Sequence, residues 1–364
     1  MGKVDRYTVP RRVILALAAT ALVAASAHAQ LPGTFSTAGR MTTERSFPRA
    51  TLLTNGKVLI TGGGFPDRSA ELYNSSTGTF TSIASPTTWS AHTSTLLPNG
   101  TVLIAGGYGN AGGLSARAYL YDPVTETFSA TADMLRPRLA HTATLLNNGK
   151  VLIVGGEASR PASPEDMSAE LYDPASGEFT AAGTFAEMGN YASSTLLADG
   201  RVLIVGYYSY LAGVYDPETG AFSRTGKPML TSVSNAVLLP NGKVLFTGGD
   251  DNGPSSRAAV YDPADGTFSL TANMGTSRYG QSETLLPDGS VLIAGGGDPA
   301  EIYDSTTGTF STTGRMMFAR YGHNATLLPD GSVLIAGGGG CVMCPSASSA
   351  EIYHPAVLAP APVY

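Results

Sequence analysis

Tryptophan occurs once in these 364 residues and cysteine twice, only 14% of the chain is charged, and the 3.6-residue apolar periodicity of helices is absent. Basic residues are outnumbered, 22 Lys and Arg against 28 Asp and Glu for a net charge of −6. That balance argues against nucleic acid or an anionic membrane as partner, because both require basic patches. The one long apolar run, residues 13–27, is shorter than the roughly 20 residues a membrane helix needs, and no membrane span is expected. Lys3, Arg6, Arg11 and Arg12 precede this run and Ala27-His28-Ala29 follows it, the order of a secretory signal peptide over residues 1–29, cleaved between Ala29 and Gln30. An uncleaved anchor is the alternative reading. The expected location is therefore secreted or periplasmic. In an exported chain so close a pair as Cys341 and Cys344 is expected to be oxidised rather than redox-active.

What the sequence does hold is repetition. The fullest copy runs Arg138-Leu-Ala-His141-Thr-Ala-Thr-Leu-Leu-Asn-Asn148-Gly149-Lys-Val-Leu-Ile-Val-Gly155-Gly156, then Ala169-Glu-Leu-Tyr172-Asp173-Pro174 and Gly177-Glu-Phe179. The glycine step recurs at Gly62, Gly106, Gly155, Gly206, Gly248, Gly295 and Gly337, at intervals of 42 to 51 residues, the length of a propeller blade. Within each copy, short runs of Val, Ile, Leu and Tyr between turn residues read as four strands. Asn-Gly or Asp-Gly joins the first two in all seven copies, from Asn55-Gly56 to Asp330-Gly331, and predicts two-residue type I′ turns. The third strand ends in tyrosine, from Tyr73 to Tyr353, and a phenylalanine, most often in a Gly-x-Phe segment, marks the fourth in six copies. The seventh lies at the other end of the chain, where Gly33-Thr-Phe35-Ser-Thr-Ala-Gly-Arg-Met41 nearly repeats Gly308-Thr-Phe310-Ser-Thr-Thr-Gly-Arg-Met316. The pattern predicts an all-β, seven-bladed propeller of four-stranded antiparallel blades over residues 30–356. Its last blade is closed by the N-terminal strand, which leaves no open sheet edge, and a Pro-rich tail follows at 357–364.

Arg-x-x-His, Asn-Gly-Lys-Val-Leu, Gly-Gly and Tyr-Asp-Pro resemble the kelch repeat over essentially the whole mature chain. The last copy, from Tyr321 through Leu327-Leu-Pro-Asp330-Gly331 and Gly337-Gly-Gly-Gly340-Cys341-Val-Met-Cys344 to Tyr353-His354-Pro355, is similar to the corresponding blade of galactose oxidase and related copper-radical oxidases. The resemblance implies a Cys341–Cys344 disulfide, which would restrict its loop locally and add little global stability. It also implies copper ligands, and there this chain departs from the pattern. Tyr321 falls at a ligand position, but Gly322 occupies the following one and His323 stands one place further on, on the other face of a strand. Without a cysteine outside the close pair, the tyrosine–cysteine cofactor is not expected in its usual place, and no counterpart of the family's ligand-bearing C-terminal domain is expected after Tyr353. No metal and no cofactor are expected.

The inner strand of each blade lines a propeller's channel, so its first residues are the candidate site. Aligned on Thr-Leu-Leu, one column reads Arg45, Trp89, Arg138, Gly189, Thr231, Arg278 and Arg320, and another reads Pro48, His92, His141, Ala192, Ser234, Gln281 and His323. Asn190, Tyr279 and Tyr321 stand beside them. The functional reading is a polar, aromatic pocket with Trp89, Tyr279 and Tyr321 as stacking surfaces and the arginines as donors. The structural reading makes the repeated Arg and His framework residues, and for any single one it is the better reading. Residues that break the pattern, Trp89, Asn190 with Tyr191, and Glu283, are then the more informative.

Weaker signals are set aside. Asp250-Asp251-Asn252 lacks a calcium loop's spacing, Gly337 to Gly340 lacks the helix a phosphate cradle needs, and no zinc or Gly-x-Ser-x-Gly motif occurs. The expectation is a secreted, monomeric, non-catalytic module that binds an extracellular glycan or protein. The alternative is an enzyme acting on sugars or sugar acids, with Glu283, Tyr321 and His323 as its acid/base groups.

Overall fold

The computed structural model describes residues 32–64, 69–87, 89–109, 113–157, 168–185, 192–206, 211–230, 236–248, 253–339 and 347–356. The signal segment, Asn190 and Tyr191, residues 250–252, Cys341 and Cys344, and the tail all lie outside them. Seven antiparallel four-stranded sheets follow one another around a ring. Blades 1 to 7 begin at the inner strands Arg49–Leu52, Thr93–Leu96, Thr142–Leu145, Ala192–Leu196, Val237–Leu238, Ser282–Leu285 and Asn324–Leu327. In blade 7 the inner three strands come from the C-terminal end and the outermost is Thr34–Arg45, paired Thr34 to His354, Phe35 to Tyr353 and Arg45 to Ala347. Among the described residues no helix is long and apolar enough to cross a membrane.

Each second strand is a run such as Val151–Val154, buried on both faces because a sheet of the ring is covered on both sides by its neighbours. The apolar side chains gather into seven clusters, one at each junction between blades. Fully burying one such Val, Leu or Ile contributes about 1.5–3 kcal/mol, and this term, repeated at every junction, holds the ring together. A tyrosine–phenylalanine pair recurs in every blade, with ring centroids 4.7 to 5.0 Å apart. In blade 7 the phenylalanine is Phe35, so the displaced strand supplies the same contact from the far end of the chain.

The hairpin turns correct the expectation of a two-residue type I′ loop. Gly56 donates to the Leu53 carbonyl and Leu53 to the Lys57 carbonyl, and in all seven turns only the glycine has a positive φ, +79° at Gly56. This is a three-residue loop, a type I turn with a glycine bulge. The Asn or Asp is chosen for its side chain: Asn55 Oδ1 accepts the Lys57 N–H at 3.1 Å, closing a local ring the chain needs at this bend.

Candidate functional site

The arginines of the first column are spent on the framework. Arg45, Arg138, Arg278 and Arg320 are buried, and each pairs with a glutamate on the third strand of the blade whose inner strand follows it: Glu71 at 2.9 Å, Glu170 at 2.7 Å, Glu301 at 2.7 Å and Glu351 at 3.0 Å. Other N–H groups of theirs donate to carbonyls and serine hydroxyls, as Arg138 does to the Gly155 and Ser168 carbonyls and to Ser168 Oγ, while the Nε of Arg138 and of Arg278 is left without a partner among the described residues. The carboxylates in turn accept backbone N–H groups of the incoming loop, Leu135 on Glu170 and Met317 with Phe318 on Glu351. Buried charges are tolerated only when paired and hydrogen-bonded in this way. Sequence reading missed the glutamates, although a signal exists. The four blades with Arg have Glu, whereas the blades with Trp89, Gly189 and Thr231 have Tyr119, Gly213 and Ala259 at that place.

The histidine column locks blade to blade. Nε2 of His92, His141 and His323 lies 2.8, 3.0 and 2.8 Å from hydroxyl oxygens of the preceding blade, those of Thr61, Thr93 and Ser282. Gln281 takes the same place in blade 6 and donates to the Thr247 carbonyl at 2.8 Å. Each ring's Cε1 closes on the first glycine of the preceding blade's Gly-Gly step: a Cβ on Gly62 would sit 2.5 Å from His92 Cε1, which explains why glycine recurs there. Burial holds all three imidazoles neutral. It pulls His141 and His323 down to about 3, helped by Arg138 and Arg49 at the one and Arg320 at the other, and it pulls His92 well below its ordinary value.

Trp89 does not face the channel. It is 4% exposed and packs among Tyr119, Phe128 and His92 at centroid distances of 5.4 to 5.9 Å, an aromatic substitute for the Arg–Glu pair that its blade lacks. The expected stacking role for Trp89 is therefore corrected to a core role.

Tyr279 and Tyr321 are placed differently. Between the Arg and His columns the chain must turn with positive φ, +66° at Gly280 and +62° at Gly322, and blade 1 does so with Phe47 at +51°. Glycine is required at the first two because a neighbour's ring lies over each: a Cβ on Gly280 would meet Tyr321 at 2.3 Å, and one on Gly322 would meet Phe47 at 2.6 Å. The rings consequently fan around the mouth, Tyr279 stacked on Tyr321 at 5.4 Å and Phe47 edge-on to Tyr321 at 5.3 Å. Beside them opens a cavity of about 590 Å³, walled by the two tyrosines, Met316 and the backbone of Gly295 to Gly297. At its rim Asp298 is bridged by Arg315 at 2.6 Å.

The three candidate acid/base groups are not brought together. Tyr321 lines this cavity. Glu283 accepts the Thr247 hydroxyl at 2.5 Å and Gln281 at 3.1 Å, toward blade 5, while its neighbour Ser282 carries His323 on the blade 7 side. Alternation along the strand thus separates Glu283 from His323 across blade 6. A second residue missed in the sequence is Arg49, which interrupts the Thr/Ser column of the inner strands and is exposed at the head of blade 1.

No family model and no curated protein matches the chain. Among solved structures it is similar to a fungal alcohol oxidase, described as having catalytic diversity among the AA5 family and solved in complex with copper. The TM-score is 0.74 and the identity 20%, over 90% of this chain and 76% of that one. This likeness is one of fold, a galactose-oxidase-like propeller. Copper does not fit the residues described here: among them no three His, Cys, Asp or Glu side chains converge, and His323 Nε2 is engaged with Ser282.

Proposed function

We propose that this chain is an exported recognition module that holds a glycan in the aromatic cavity between blades 6 and 7 without turning it over. The observation that carries the reading is the cavity itself, about 590 Å³ and walled by Tyr279 and Tyr321, with its polar groups at the rim. Its size lies in the range of small-ligand pockets, about 300–1,000 Å³. A sugar ring offers an apolar C–H face to an aromatic wall and hydroxyls to the rim, where Asp298 and Arg315 supply an acceptor and donors. The acid/base candidates point to different blades, which speaks against chemistry at this place. Titration calorimetry of the mature chain against a glycan panel should find one sugar class that binds, and Tyr279→Ala should weaken it about tenfold or more with the fold intact. Binding that Tyr279→Ala leaves untouched, or a panel without a single binder, would sink the reading.

An enzyme acting on sugars or sugar acids is the second reading, favoured by the likeness to an alcohol oxidase. Its mark would be steady consumption of a bound sugar, with a product detectable by mass spectrometry. Export is part of the proposal too, and N-terminal sequencing of the protein recovered outside the cytoplasm is expected to begin at Gln30.

A further inference from the structure

The central channel is chemically almost uniform. At one height the inner strands present Thr93, Thr142, Ser193, Ser282 and Asn324, each opposite the end of its blade's second strand, and two residues further along six of the seven blades present threonine. Blade 1 breaks the first of these rings with Arg49, paired to Thr61 in the same register. Among the described residues, the inner strands thus carry one guanidinium at a height where the other blades place small, uncharged polar side chains.

Arg49 differs from the four framework arginines in every respect that matters for binding. Those are sealed against their own glutamates, whereas Arg49 is reached by solvent although protein surrounds it, and only its Nε is directed, at 3.0 Å to the His92 carbonyl. Its terminal nitrogens have no carboxylate within ion-pairing distance among the described residues. The surrounding strands strip water from it, lowering its pKa, yet an arginine stays charged, so a desolvated cation stands without a counter-charge. Its field is felt by both His92 and His141.

We propose that the channel mouth at Arg49 is a binding site for a small carboxylate, gripped by the terminal nitrogens of Arg49 within the ring of inner strands. A planar carboxylate matches the two-pronged geometry of a guanidinium, and the anion supplies the charge that the site lacks. The site is separate from the aromatic cavity and does not depend on the glycan reading.

The test is calorimetric titration of the mature protein with acetate, glucuronate, phosphate and neutral glucose. The expected result is binding of at least one of the two carboxylates and none of glucose at this site. Arg49→Gln should abolish it, Arg49→Lys should weaken it about tenfold by keeping the charge without the fork, and Tyr279→Ala should leave it unchanged. Failure of both carboxylates to bind, binding of phosphate alone, or equal affinity in Arg49→Gln overturns the proposal. Should Arg49→Gln not fold, Arg49→Lys decides: weakened carboxylate binding supports the site, and unchanged affinity overturns it.

Discussion

Arg138→Met should cost the fold about 3–5 kcal/mol, the usual penalty for stranding one member of a buried ion pair. The loss arises because Glu170, 2% exposed, would keep its charge with only the Leu135 N–H and no cation. Replacing both residues, Arg138→Met with Glu170→Met, should recover a large part of the loss, since the pair's mutual attraction mainly offsets its own desolvation. The recovery is incomplete because Leu135 N–H loses its acceptor, at a cost of about 1–3 kcal/mol. The molecule already contains the experiment: blade 2 replaces the pair with Trp89 and Tyr119, and blade 4 covers Gly213 with the Phe185 ring. Urea unfolding of the two variants beside the parent checks this. A single variant within 1 kcal/mol of the parent, or a double no better than the single, would contradict the account.

The second large effect is with acid. His92, His141 and His323 are neutral in the folded ring, with values pulled down to about 3 at His141 and His323, whereas in the unfolded chain they titrate near 6.5. Below pH 6.5 the unfolded chain takes up protons that the folded one refuses. The stabilisation from neutral burial is thus complete above pH 6.5 and drains away as the pH falls toward 3. Each histidine contributes a slope of at most about 1.4 kcal/mol per pH unit in that window. Gln281 shows how to isolate the effect, because it fills the same column without titrating. The melting temperature of His141→Gln should fall less steeply than the parent's between pH 6.5 and 3, and parallel curves would show that His141 is not buried neutral.

The repeat pattern made the fold legible because a blade is a local object. Its turns and strand lengths, and in six blades its tyrosine–phenylalanine pair, lie within about fifty residues, the span of one propeller repeat, and the pattern is stated seven times. Even the displaced strand could be read, since Gly33 to Met41 copies Gly308 to Met316. The turn type could not, because Asn-Gly suits both a two-residue loop and a type I turn with a glycine bulge, and the hydrogen-bond register decides between them. Partnerships across strands were equally opaque. Arg138 and Glu170 stand 32 residues apart, and nothing local in either announces the other. Trp89 misled for a related reason: rarity suggested function, whereas the residue repairs a blade that lacks the ion pair. Arg49 was overlooked because an arginine in a surface-like Arg-Ala-Thr context signals nothing until the strand is known to face a channel.

Blade 7 sets the order in which this protein can come into being. Its seam joins Ser36 to His354, 318 positions apart, so the ring can close only after almost the whole chain has been synthesised. Until then the N-terminal strand is a clasp without its catch, and the edge it will cover is still to be made. Contacts of such separation carry the largest loop-closure cost and form late. A chain cut short of residue 347 would thus leave blade 7 without its third strand and give Thr34–Arg45 nothing to pair with, while its earlier blades kept every local signal they need. Closure thereby acts as a built-in check on completeness, performed by the geometry of the ring itself.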